Sequence, residues 1–153
     1  MRSRVDSNIC SMYHSRMKGL VNARVGYAAD AKGNGVAYVR VGPEGADHVL
    51  RVRFAVQRFP ALLDREIGYA ALPAVAAALR ERGVSRARFF LDDAALVDDL
   101  VNHRDVPAAL TLAYVRLGCA LNQFQEYEIA NADSRVSDLT ARARSEAAMH
   151  VAA

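Results

Sequence analysis

The stretch GYAADAKGNG, residues 26–35, decides how this chain reads. A short apolar run meets an acidic residue and then a glycine–asparagine turn. Just upstream, Val21, Ala23, Val25 and Tyr27 alternate with Asn22, Arg24 and Gly26, which is the period of a β-strand. Gly33, Asn34 and Gly35 supply hairpin chemistry, because Asn and Gly tolerate the positive φ of a tight turn. The return strand is VAYVRV (36–41), and GPEGAD (42–47) turns the chain again. HVLRVRFAV (48–56) is a third strand, with Leu50, Val52, Phe54 and Val56 on one face and Arg51 and Arg53 on the other. An antiparallel meander of three strands follows.

Beyond it the period becomes helical. Asp64 can cap a helix carrying Ile67, Ala71, Leu72, Val75 and Leu79 that ends at Gly83. Pro73 lies inside this pattern, so the helix either kinks there or breaks and restarts with Pro73 in its first turn. RARFFLD (86–92) reads as a buried strand, DAALVDDLV (93–101) as a short helix, and Asp105 and Pro107 open a longer one through Leu121. FQEYEIA (124–130) is a fifth strand, and Val136, Leu139, Ala143 and Ala147 stripe a last helix. The order predicts an α/β fold: a mixed five-stranded sheet, three antiparallel strands and then two parallel, flanked by helices.

The bulk properties agree with one domain. The chain has 153 residues, 52% hydrophobic and 24% charged, enough for a sizeable core and too apolar for a disordered chain. No apolar run approaches the roughly 20 residues of a membrane span, and the N-terminus lacks the apolar core of a secretory signal, so the expected location is cytoplasmic. Cys10 and Cys119 follow no metal spacing and read as a free thiol and a buried small apolar residue rather than a disulfide. His14, His48, His103 and His150 are scattered and read as solvated or locally bonded.

The basic balance is local. Residues 1–24 carry Arg2, Arg4, Arg16, Lys18 and Arg24 against Asp6 alone, whereas the remaining 129 residues carry 15 basic and 16 acidic side chains. Residues 1–19 lack a clean period and read as a flexible leader, with the domain proper at 20–150.

This order of elements, with these residues on it, resembles the bacterial ribonuclease HI family. The marks are KGNG (32–35) after the first strand, YAAL (69–72) early in the first helix, Gly83 nine residues before Asp92, FFLDD (89–93) at the end of the fourth strand, and SDLTARA (137–143) opening the last helix. The resemblance implies a ribonuclease H-like fold and cleavage of the RNA strand of RNA–DNA hybrids by two Mg or Mn ions. Such ions sit about 4 Å apart, activating water and stabilising the leaving oxygen. They need hard oxygen ligands in strict geometry. The family supplies these from the end of strand 1, the first helix, the end of strand 4 and the start of the last helix.

Carried over residue by residue, Asp92 takes the strand-4 position and Asp138 the last-helix position. The first-helix position, a Glu in the family, falls on Gly68, which has no ligand to give. The strand-1 position is Ala28 if the turn keeps its length, or Asp30 if it has shortened by two residues. Asp64 and Glu66 flank Gly68 at about 40° and 200° around the helix, the former displaced by roughly 6 Å along it. They are the residues open to recruitment. Lys32, Gly33 and Asn34 are the expected approach to a sugar-phosphate backbone. Asp93 and Asp133 read as helix caps.

The sequence therefore predicts a ribonuclease H-like domain with an eroded two-metal site. Its expected partner is an RNA–DNA hybrid or other nucleic acid, held weakly, or else a protein or a second copy of the chain. Two rivals stay open: an active metal-dependent ribonuclease H using Asp30, Asp92 and Asp138, and an oligomeric scaffold keeping only the fold.

Overall fold

The computed structural model describes residues 20–42, 48–56, 64–102, 106–132 and 137–152, without the side chains of residues 64, 137 and 150–152. The leader assigned to residues 1–19 lies outside them, as do Asp105 and the cap assigned to Asp133.

The strands are β1 (Val21–Ala29), β2 (Asn34–Val41), β3 (Val49–Ala55), β4 (Arg86–Leu91) and β5 (Glu126–Asn131). The helices are α1 (Asp64–Glu81), α2 (Ala94–Asn102), α3 (Thr111–Leu121, entered through a 3-10 turn at Ala108–Leu110) and α4 (Ser137–Ala152). One five-stranded sheet has the order β3-β2-β1-β4-β5. β1 pairs antiparallel with β2 and parallel with β4, so it is central.

Alternation sorts the side chains between two faces. Ala23 and Val25 of β1, Ala37 and Val39 of β2, and Ala87, Phe89 and Leu91 of β4 point into the main core, where Leu72, Val75 and Leu79 of α1 and Leu117 and Leu121 of α3 meet them. The opposite face carries Ala28, Val36 and Tyr38 and is covered by Leu139, Ala143 and Ala147 of α4. Gly26 lets α4 come this close: a Cβ there would lie 2.3 Å from the backbone nitrogen of Thr140.

Three local readings change. The hairpin turn is Asp30–Gly33 rather than Gly33–Gly35; Asn34 and Gly35 already belong to β2, and Gly33 alone has the positive φ, +87°. The Asp30 carboxylate holds the turn in that place, as described below. α1 runs unbroken through Pro73, forgoing only the hydrogen bond that the missing N–H would make to the Tyr69 carbonyl. It stops at Gly83 (φ +84°), where the Val84 N–H reaches back to the Leu79 carbonyl at 3.1 Å. Cys119 is a free thiol on the exposed side of α3, not a core residue.

Candidate functional site

Because β1 and β4 are parallel neighbours, their carboxyl ends open side by side, and a crevice at that end is where open α/β sheets commonly hold ligands. A cavity of about 490 Å³ lies there, lined by Tyr27 and Ala28 of β1, Asp92 and Asp93 beyond β4, and Thr140 and Arg144 of α4, among others.

Asp92 is exposed, and its Oδ2 accepts a hydrogen bond from the Thr140 hydroxyl at 3.3 Å. Asp93 caps α2, its Oδ1 accepting the Leu96 N–H at 3.1 Å, while its Oδ2 is enclosed with no hydrogen-bond partner. Two adjacent carboxylates thus face the cavity from one loop, one bridged to α4 and one turned into the start of α2.

Asp30 is elsewhere. Its side chain is buried, and its Oδ1 accepts the backbone N–H groups of Lys32 and Asn34 at 2.8 and 3.0 Å. Its Oδ2 accepts Asn34 Nδ2 at 3.3 Å. This is the Asx chemistry that fixes turns. Lys32 and Asn34 are presented exposed at the hairpin tip. Beside the tip, Asn34, Gly35, Arg53, Phe54 and Glu146 line a second depression of about 430 Å³.

Asp138 also turns away from the cavity. Arg40 of β2 donates to its Oδ2 at 2.9 Å, and that hydrogen bond holds the carboxyl below the usual carboxylate range. The residue of α4 that meets Asp92 is Thr140. At Gly68, an added Cβ would stand 2.5 Å from the Tyr27 hydroxyl and 2.5 Å from a methyl of Leu96, so the space is filled. Ala28 faces α4 as part of the packing there. Glu66 is buried in the first turns of α1, and Asp64 begins that helix.

The family's metal pair asks for carboxylates converging on one point. Here Asp30, Asp92 and Asp138 each engage a different partner, and among the described residues no three His, Cys, Asp or Glu side chains group as a metal site.

Two polar clusters were not legible beforehand. Asp99 of α2 is buried, accepts two hydrogen bonds from Arg65 Nη1 at 3.0 and 3.1 Å, and accepts the Tyr69 hydroxyl at 2.8 Å. Burial, and then this bond to Asp99, push the Tyr69 phenol above its ordinary range. On the α4 face, Arg51 clasps Glu146 with two hydrogen bonds, and Arg142 lies 4.3 Å over the Tyr38 ring. Arg86–Glu126 and Arg88–Glu128 pairs continue this face across β4 and β5. The alternation of Arg51 and Arg53 was the one sequence signal for this face; their partners lie too far along the chain to be read from spacing.

Among the described residues no helix is long and apolar enough to cross a membrane. No family model matches the chain. No curated protein matches it in sequence either. Solved structures do. The RNase H1 of the halophilic archaeon Halobacterium salinarum matches with a TM-score of 0.68 at 19% identity, over 86% of this chain and 99% of that one. The N-terminal RNase H domain of a Mycobacterium tuberculosis protein, solved as a fusion with maltose-binding protein, matches with a TM-score of 0.60 at 16% identity, over 80% and 94%. LC11-RNase H1, solved in complex with an RNA/DNA hybrid, matches with a TM-score of 0.57 at 10% identity, over 83% and 98%. With nearly the whole of each of these chains superimposed at such low identity, what is shared is the ribonuclease H fold.

Proposed function

We propose that this chain is a ribonuclease H-like domain that binds nucleic acid of the RNA–DNA hybrid class without efficient hydrolysis, its two-metal centre having been dismantled. One observation carries the reading: the side chain of Asp138, which the resemblance assigns to the metal site, is tied to Arg40 instead of turning toward Asp92. The binding half draws support from the fold shared with LC11-RNase H1, which was solved with an RNA/DNA hybrid, and from the exposed Lys32 and Asn34 beside Arg53. Lys32 and Arg53 can neutralise only a couple of phosphates, so affinity should be modest and weaken gradually as salt is raised.

The test is a pair of measurements on one fluorescent RNA–DNA hybrid. Anisotropy at low ionic strength should report binding that weakens as salt is raised and that Lys32→Ala with Arg53→Ala diminishes. Cleavage with Mg²⁺ or Mn²⁺ should be very slow or absent. Robust cleavage abolished by Asp92→Asn would instead establish an active ribonuclease H. Absence of binding to hybrid, duplex DNA and single strands alike would favour a scaffold.

A further inference from the structure

We infer that Tyr27 and Gly68 form a coupled pair, in which the tyrosine hydroxyl takes the space that a side chain at position 68 needs to reach the cavity. The inference deepens the reading above and rests on it in one respect, that position 68 is where the resemblance places a carboxylate. The packing claim itself stands on this chain's geometry.

Tyr27 lies on β1 and lines the cavity, while Gly68 lies on α1 against the Tyr27 ring. A Cβ built at Gly68 meets the Tyr27 oxygen at 2.5 Å and its Cζ at 3.1 Å, well inside van der Waals contact. The third neighbour is a methyl of Leu96 at 2.5 Å, from a side chain with no exposed surface. A leucine terminus in a tight core can shift by a rotamer change if there is room to receive it. The phenol is a rigid ring on the central strand, and two of its atoms crowd the position. The conformation of Gly68 does not itself demand glycine, since it sits in a regular helix with no positive φ. The glycine is therefore there for space. At position 68 the missing carboxylate is thus a matter of packing as well as of residue type, since the Tyr27 phenol and the Leu96 methyl leave no room for a side chain on the helix.

It follows that Gly68→Glu alone should not deliver a ligand. The new side chain would collide with the phenol, and either α1 would move off the sheet or the carboxylate would be forced out of the cavity. Cutting back Tyr27 opens the path, and a Glu at 68 could then join Asp92 and Asp93, which already line the same cavity.

The experiment is a thermal-melting cycle with Gly68→Ala, Tyr27→Leu and the double variant, together with Mn²⁺ titration calorimetry on the unmodified protein, Gly68→Glu and Tyr27→Leu/Gly68→Glu. Gly68→Ala should lower Tm by about 5 °C or more in the native background, as overpacking does. In the Tyr27→Leu background the same change should cost far less or raise Tm, because Ala favours a helix. For Mn²⁺, Gly68→Glu should bind no better than the unmodified protein, and the double variant about tenfold or more tighter, since added carboxylates raise affinity for hard cations. Strictly additive melting shifts overturn the coupling, as does a Gly68→Glu protein that gains Mn²⁺ binding without losing stability. The Ala cycle decides the matter even where a Glu variant fails to fold. Saturable Mn²⁺ binding by the unmodified protein overturns the functional reading instead, leaving the packing claim to the melting data.

Discussion

The guanidinium of Arg40, near the end of β2, lies 2.9 Å from the carboxylate of Asp138 in the first turn of α4. This pair sets where the last helix directs its acidic residue. Asp138 sits one residue before Leu139, which is buried on the sheet, and a step of about 100° around the helix turns it aside. Thr140, not Asp138, comes to rest against Asp92.

The bridge is more than half exposed on the Asp138 side, so its contribution is small, below about 1 kcal/mol. Its pH dependence has a definite sign. The folded carboxyl titrates below its unfolded value, so the stabilisation is whole above about pH 4 and is lost as pH falls through the lower folded pKa. Arg40→Ala should therefore lower Tm slightly at pH 7, by an amount that shrinks as the pH falls below about 4. Carbon-detected NMR titration should show the Asp138 pKa rising toward its ordinary value in that variant.

Asp30 gives a sharper structural test. Its carboxylate accepts two backbone N–H groups and one amide, all inside the β1–β2 connection. Asp30→Ala strands those donors in a partly buried turn and should cost about 1–3 kcal/mol in urea unfolding. Asp30→Asn keeps an oxygen acceptor and should cost clearly less. If Asp30 acted only as a metal ligand, the two variants would have equal, near-zero effects on stability in chelator.

How much of this was legible in advance depends on how far each cause lies along the chain. Strands 1–3 could be read because their period-2 pattern is local: Val21, Ala23 and Val25 declare a buried face by themselves. Asp93 could be read as a cap for the same reason, its partner being three residues on. The hairpin turn was misplaced by a few residues because Gly33, Asn34 and Gly35 together outweigh a single aspartate, although Asp30 fixes the turn. The direction of Asp138 and the filling of Gly68 were out of reach. One depends on the rotation of α4 against the sheet, the other on a tyrosine 41 residues earlier.

The Asp99 cluster, hidden for the same reason, should prove the most stabilising polar feature among the described residues. Asp99→Ala leaves the partly buried Arg65 without its carboxylate and Tyr69 without its acceptor. A loss of about 3–5 kcal/mol is expected in chemical denaturation, because breaking one side of a buried pair leaves an uncompensated charge. Tyr69 adds an alkaline signature. Its folded pKa lies above the unfolded value, so the stability it contributes is present below about pH 10 and lost as pH rises through the folded pKa. In a spectrophotometric titration of the phenols, Tyr69→Phe should delete the step that ionises only upon unfolding.

Two glycines provide a paired test of how α4 is seated. Gly26, on β1, has the backbone of Leu139 and Thr140 within 2.5 Å of any Cβ it might carry, and backbone cannot rotate out of the way. Gly118, inside α3, has nothing within 4 Å of its would-be Cβ. The same replacement by alanine should then have opposite signs. Gly118→Ala should stabilise by about 0.5–1 kcal/mol, the helix-propensity difference alone. Gly26→Ala must lift the start of α4 from the sheet and should cost about 1–3 kcal/mol or more. Because Thr140 rides on that turn, the displacement should also separate its hydroxyl from Asp92, and hydrogen exchange in the first turns of α4 should accelerate in Gly26→Ala but not in Gly118→Ala. Equal effects of the two substitutions would mean that α4 is held by its Arg51–Glu146 and Arg40–Asp138 bridges rather than by close packing on β1.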